Sequence, residues 1–417
     1  MKKLIQNYII WCAKRKIKNT TAKIIAITGS VGKSTTKEAI AQVLGRTFKV
    51  RANYGSLNNE LGLPLAILGE KSAVNLLQWL GKVLRISFRT FIYDSSIEFY
   101  VLECGIDKPG DMDEILTIIK PDISVITTVE SVHTQNFGGF EELVKEKWKL
   151  AHGTKSGGIV IANYDNPPTH DQAKNIQDKT LITFGLNERA SFYATNIEYD
   201  LQGTNFAVIH NHEPHSLHLA LLGKAPVYSS LPAIIIGKLQ NLSWEDIASQ
   251  LSTLKPLPGR LSAIPGIKGS ILLEGSYNAS PASMKMSLEI LRNLPAKRRI
   301  AIVGDMRELG DITQEAHVDM LSCLGNVCDL VIAFGPYYAE ALAHQPKHNR
   351  NQASFKHFLT REEIVDFITP KLSEGDIVLV KGSQNTIMLE KVSEQLMADP
   401  SKAKDLLPRQ YGKWKRI

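Results

Sequence analysis

KIIAITGSVGKSTTKEAIAQVL, residues 23–44, sets the reading of the chain. Its residues 24–27, IIAI, with Thr28 after them, form a short β-branched run suited to a buried strand, and its last twelve place Ala39, Ile40 and Val43 at helical spacing. The segment between them must turn a strand into a helix, and such a turn is an anion site. Glycine lets the backbone N–H groups of Gly29, Ser30, Val31 and Gly32 point inward, and the helix start adds positive potential. Lys33 reaches the outer phosphates, and Ser34, followed by Thr35, offers a hydroxyl to Mg²⁺. The loop is shorter than G-x-x-x-x-G-K-[ST], because Ile27 stands five places before Gly32, so the assignment rests on strand, helix and Gly-Lys-Ser together. ATP and Mg²⁺ are the expected cofactors.

Bulk properties set the frame around this loop. With 417 residues the chain is long for one core, so two domains are expected. Hydrophobic residues make up 43% and charged residues 22%, an ordinary globular balance. The four cysteines, Cys12, Cys104, Cys323 and Cys328, are scattered without a C-x-x-C pair. That argues against a disulfide framework or zinc site and for a reducing cytoplasm. The net charge of +7 is mild, and no basic stripe interleaves with aromatics, so nucleic acid is not an expected partner.

Two segments suggest peripheral contact with a membrane. Leu4, Ile5, Tyr8, Ile9 and Cys12, followed by KRKIK, read as one amphipathic basic helix within residues 1–22, too short in its apolar core to span a bilayer. Within residues 74–92, Leu77, Leu80, Leu84, Phe88 and Phe91 recur near helical spacing with Lys82, Arg85 and Arg89 between them.

After the loop, EFYVLECG, ISVITTV and GGIVIAN alternate with helical stretches, the pattern of a largely parallel α/β sheet. Residues 185–225 alternate more like antiparallel strands, and KPLPGR (255–260) then punctuates the chain. RRIAIVGD, DLVIAFG and DIVLVKGS open a second α/β series. The expected organisation is an N-terminal helix (1–22), a P-loop ATP-binding domain with a mostly parallel sheet and a small antiparallel portion (23–254), and a Rossmann-like C-terminal domain (255–417).

Ligands of open α/β sheets bind at the carboxyl ends of strands. Glu103 closes one such strand, with Gly105 allowing close approach, and is placed to bind Mg²⁺. His133 sits in the loop after the next strand. In the helix that follows, Phe140, Leu143, Val144, Lys147 and Ala151 share one face, so Lys147 lies in an apolar stripe while Lys145 and Lys149 point elsewhere. A buried amine calls for a partner or a modification that changes its charge, unless it snorkels to the surface. In the second half, Glu274 closes a strand ahead of Tyr277, Asn278 and Ser280, the last before a Pro suited to a helix start, and Asp305, Arg307 and Glu308 follow another.

In order along the chain, TGSVGKSTTKE, SLNNELGLPLAIL, LECGIDKPGD, HTQNFGGFEELVKEKWKL, ANYDN, LPGR, EGSYNASPASM, GDMRELGD and VKGSQNTIMLE resemble the Mur ligase family. The likeness is greatest to the branch that joins D-alanyl-D-alanine to a UDP-N-acetylmuramoyl tripeptide, and it runs from Lys23 to the region of Glu390. It implies an ATP-dependent carboxylate-amine ligase of peptidoglycan precursor synthesis, acting through an acyl phosphate on an anionic peptide donor and an amino acid or dipeptide acceptor. A monomer in the cytoplasm is expected. By the same resemblance, Gly29, Gly32, Lys33 and Ser34 hold ATP and magnesium, and Glu103 and His133 are metal ligands. Lys147 matches a lysine that is carbamylated into an anionic ligand, and Asn58 and Asn59 lie near the active site. Arg260 and Asn278 close over the nucleotide. Asp305, with Lys381 and Ser383, lies where the C-terminal domain receives the amino component. Lys33, His133, Lys147 and Asn278 are the implied catalytic set.

Departures from the family pattern bear on the substrates. About two dozen residues precede the loop, far below domain size, so the chain is expected to begin with the ATPase domain and to lack the domain that grips uridine. The donor would then be held by a partner, or with help from residues 71–93, or would not be a UDP-sugar peptide. Gln135 replaces an acidic residue, Gly275 an aspartate as in folylpolyglutamate synthases, Ser280 an asparagine and Gln384 an arginine, and GKAPVYSSLPA lacks the usual His-Asn. Two alternatives follow: a folylpolyglutamate-like or other amino-acid ligase on a non-UDP donor, and a non-catalytic ATP-binding scaffold.

Overall fold

The computed structural model describes residues 2–53, 62–70, 76–91, 96–130, 134–344, 353–384 and 386–410. Two compact units emerge, Met1–Glu198 with Thr204–Leu254, and Tyr199–Gly203 with Lys255–Ile417.

The first unit is built on β1 (Lys23–Thr28), β2 (Val50–Ala52), β3 (Phe99–Glu103), β4 (Ile123–Ile126), β5 (Ile159–Asn163), β6 (Thr180–Gly185), β7 (Phe192–Asp200), β8 (Gly203–His210) and β9 (Glu213–Leu219). They form one sheet in the order β2-β3-β1-β4-β5-β6-β7-β8-β9. Pairing is parallel from β2 to β7 and antiparallel between β8 and β9. The antiparallel portion expected over residues 185–225 is thus found in β8 and β9, whereas β7, inside the same stretch, pairs in parallel with β6. Its helices are α1 (Lys2–Lys18), α2 (Lys33–Gly45), α3 (Gly62–Leu68), α4 (Leu76–Phe91), α5 (Asp111–Ile118), α6 (Phe140–His152), α7 (Pro167–Ala173), α8 (Lys224–Leu239) and α9 (Trp244–Ser252). Successive strand residues point to opposite faces, so Ile24 and Ala26 join a core with α1, α3, α5 and α6, while Ile25 and Ile27 join one with α2, α8 and α9. Helices on both faces explain why β1 is an uninterrupted apolar run.

The expected apolar face of α1 is divided. Ile9 and Cys12, with Ala13, are fully buried in the core, and the helix packs on α3 and α4. Leu4 stays in water. An apolar stripe this wide can meet the core with only part of its width, and the sequence does not say which part.

The second unit holds β10 (Ser262–Pro265), β11 (Ile271–Glu274), β12 (Arg298–Gly304), β13 (Leu330–Phe334), β14 (Ser354–Phe358) and β15 (Asp376–Lys381), in the order β10-β11-β15-β12-β13-β14. Only the β10–β11 pair is antiparallel. Helices α10 (Pro281–Asn293), α11 (Thr313–Gly325) and α12 (Pro336–His344) follow β11, β12 and β13. Ser280 caps α10 in a reciprocal box with Ser283, and Pro281 occupies the first turn where its missing N–H costs nothing.

Candidate active site

In the first unit β1 runs directly into the loop. Gly29 has φ +142° and Gly32, at the start of α2, φ +88°. Space also demands glycine at 29, since a Cβ there would lie 2.0 Å from Thr127 Oγ1. That hydroxyl donates to the Val31 carbonyl (2.7 Å), and the Ser30 and Val31 N–H groups donate to the Thr128 carbonyl (2.7 and 3.3 Å). These two N–H groups pin the loop to the segment just after β4. The first-turn N–H groups of α2, which a helix leaves without internal partners, are the ones on offer to phosphate.

Two amines converge on one carbonyl. Lys33 Nζ donates to Gly29 O (2.9 Å) and Ser30 O (3.2 Å), and Lys147 Nζ donates to the same Gly29 O (3.1 Å). Lys147 is 5% exposed, among Leu143, Val144, Trp148 and Ala151 of α6, as its place in the apolar stripe predicts. Burial, and secondarily the charge of Lys33, lowers its pKa to about 7, against a smaller opposing pull from Asp107. A lysine tuned this way is a nucleophilic free amine at neutral pH, which is what reaction with CO₂ requires.

Glu103 ends β3 beside Ile27 of β1. Asn53 fixes that strand end, accepting from the Glu103 N–H (2.8 Å) and donating to its C=O (3.1 Å). The Glu103 side chain is buried, and its Oε2 has no hydrogen-bond partner. An orphaned carboxylate oxygen in such a place fits a divalent cation. Among the described residues no group of three His, Cys, Asp or Glu gathers, so an ion here would draw on other donors such as the Ser34 hydroxyl. His133, Asn58 and Asn59 lie outside the described residues.

Sequence reasoning missed the polar frame behind these groups. Lys37, fully buried, donates to Asn53 O (2.7 Å), and Asn163 donates to Thr128 Oγ1 (3.1 Å). Asn166 pairs with both the N–H and C=O of Val129. Lys37 falls within TGSVGKSTTKE and Asn163 and Asn166 within ANYDN, but no role is legible for them there, and nothing marks Asn53.

The second unit gathers polar groups at the ends of β11, β12 and β15. Lys381 Nζ donates to Asn278 O (3.1 Å), and burial, then the charge of Arg260, lowers its pKa to about 8. Arg260 lies over the Tyr277 ring, 4.2 Å from its centroid. Ser383 Oγ accepts from the Arg307 N–H (2.9 Å). The Asp305 carboxylate accepts from the Tyr337 and Tyr338 N–H groups at the start of α12, capping that helix. Arg409, which no sequence signal marked, forms a buried pair with Glu390 (2.5 and 2.6 Å) and donates to the Ser276 and Tyr277 carbonyls, latching the turn that precedes Asn278.

Residues 27–237 match the Mur ligase middle domain, and residues 259–384 match the Mur ligase glutamate ligase domain. The chain belongs to the Mur ligase family. The UDP-N-acetylmuramoyl-tripeptide--D-alanyl-D-alanine ligase of Bacillus subtilis is 28% identical over 93% of this chain and 79% of its own length. The enzyme of the same name from Synechocystis is 30% identical, covering 91% and 75%. Among solved structures, the MurF ligase of Thermotoga maritima in complex with ADP has a TM-score of 0.75 at 25% identity, over 94% of this chain and 83% of that one. A MurF structure from Acinetobacter baumannii, at 24% identity and TM-score 0.78, shares the fold over 94% and 80%. The α/β fold class and the family expected from the collinear segments are both borne out.

Proposed function

We infer that this Mur ligase joins D-alanyl-D-alanine, or a closely related amino component, to a UDP-N-acetylmuramoyl tripeptide in peptidoglycan precursor synthesis. The observation that carries the reading is the convergence of Lys33 and the tuned Lys147 on Gly29, one strand from Glu103, whose buried Oε2 has no hydrogen-bond partner. Its relatives from B. subtilis and Synechocystis bear that activity in their names. The ADP complex of the T. maritima neighbour supports ATP at the loop.

A donor carboxylate oxygen attacks the γ-phosphorus of ATP and ADP leaves, giving an acyl phosphate. The acceptor's free amine then attacks the acyl carbon, phosphate leaves, and an amide remains. Two anions meet in the first step, so Lys33 is placed to offset charge on the transferring phosphoryl group. Glu103, Ser34, His133 and carbamylated Lys147 would hold Mg²⁺, which supplies further charge neutralisation there. In the second unit, Arg260 and Asn278 are assigned to the nucleotide, and Lys381 with Ser383 to the acceptor. The proposed domain limits are 23–254 and 255–417, with residues 1–22 as an N-terminal helix. The protein acts as a monomer in the cytoplasm, where its free cysteines are at home.

Phosphate release should require both UDP-muramoyl tripeptide and an amino component, with the amide product identified by mass. Release with a folate or polyglutamate donor instead would establish the non-UDP alternative suggested by Gly275 and Gln384. Hydroxylamine should trap a hydroxamate from donor and ATP, and its absence would favour a scaffold.

A further inference from the structure

Two helices of the first unit carry an unbalanced charge. α1 has six Lys or Arg and α4 three, and neither contains Asp or Glu. The chain has 49 basic and 42 acidic residues, so removing these nine leaves 40 against 42. The entire positive excess of the protein thus resides on this pair.

The helices touch each other, with the Tyr8 hydroxyl 2.6 Å from that of Ser87. Their inner sides are anchored, since Ile9, Cys12, Ala13 and Ile86 are fully buried in the core. The outer sides are unusual. Leu4 is 74% exposed, Trp11 45% and Phe88 71%, and these are three of only six large hydrophobic side chains exposed among the described residues. On α1, Leu4, Tyr8, Trp11, Arg15 and Lys18 follow alternating steps of four and three, one stripe along the helix. Trp11 stacks on Tyr8, and the Arg15 guanidinium lies 5.6 Å from the Trp11 ring centroid. On α4 the exposed Arg85 and Phe88 continue the same chemistry beside Ser87.

We propose that this α1–α4 face docks the protein on an anionic lipid bilayer. Leu4, Trp11 and Phe88 enter the boundary between headgroups and acyl chains, and Lys14, Arg15 and Lys18 meet lipid phosphates. Charge complementarity selects this occupant. A nucleic acid would reward the cations but leave Leu4 and Phe88 in water, whereas a bilayer takes both. The contact is peripheral, since no helix among the described residues is long and apolar enough to cross a membrane.

Vesicle flotation tests the proposal. Wild type should float with phosphatidylcholine vesicles containing about a third phosphatidylglycerol, stay behind with phosphatidylcholine alone, and be released when salt rises from about 50 to 500 mM. Lys14→Gln with Arg15→Gln and Lys18→Gln should lower partition about a hundredfold. Leu4→Ser with Phe88→Ser keeps every charge and should weaken binding about tenfold or more. Soluble ligase turnover should be unchanged in the charge variant and the thermal midpoint in both, because all five side chains are exposed. Salt release needs no variant and stands even if one folds poorly. Failure of wild type to bind anionic vesicles at low salt overturns the proposal. So does equal binding by the charge variant, or a self-association lost in the same variants, which would mark the face as a contact between copies or proteins.

Discussion

Replacing Lys147 by Met separates what the amine does for chemistry from what it does to stability. The side chain is almost fully buried and its pKa falls from 10.5 to about 7, chiefly through burial. A lysine with a depressed native pKa destabilises the fold most where both states are protonated, below pH 7, and the penalty fades as pH climbs to 10.5. At 1.36 kcal/mol per pKa unit the full penalty approaches about 5 kcal/mol, and about 3 kcal/mol of it is relieved between pH 6 and pH 9. Methionine fills similar volume without titrating. In CO₂-free buffer, urea unfolding should therefore show Lys147→Met gaining on wild type by about 3 kcal/mol more at pH 6 than at pH 9. The same variant should have lost ligase turnover, and Lys147→Ala should regain part of it with added short carboxylic acids. A stability gap that stays constant across that pH range would mean the amine is not held neutral, and the argument for carbamate chemistry at this position would fall with it.

Other perturbations test the frame around it. Gly29→Ala forces a Cβ onto Thr127 Oγ1 in a backbone region disfavoured for L-residues, so urea unfolding should show a loss of about 2–4 kcal/mol, with ATP binding abolished by equilibrium titration. Glu103→Gln should raise the Mg²⁺ concentration for half-maximal turnover about 10- to 100-fold, and an unchanged requirement would remove Glu103 from the metal site. Arg409→Met strands the buried Glu390 carboxylate and should cost about 3–5 kcal/mol by thermal unfolding. Adding Glu390→Gln should recover most of that, while the KM of the amino component stays raised because the Ser276 and Tyr277 carbonyls remain unlatched.

What could be read from the sequence was whatever repeats at short range. β1 and α2 announce themselves through a continuous apolar run and a 3.6-residue period, and Lys147 stands out because that period places a cation where a hydrophobe belongs. Ser280 before Pro281 fixed a helix start for the same local reason. The frame was hidden because its bonds join residues far apart in the chain. Asn53 reaches Glu103 across fifty positions, and Arg409 reaches Ser276 across 133. Each looks like any polar residue after a strand or in a tail. Asp305 shows the converse, a strand-end carboxylate that stands out in the sequence while its helix-capping contact does not.

Next to Lys147 stands a residue that never faces the loop. Glu146 accepts from the Gly110 and Met112 N–H groups at the head of α5, both at 3.0 Å. Consecutive side chains leave a helix about 100° apart, so this anchorage settles the azimuth of α6 about its own axis and thereby the bearing of the amine one position on. The aim of the reactive nitrogen is thus set from behind, by an acid that a search confined to the nucleotide's surroundings would pass over.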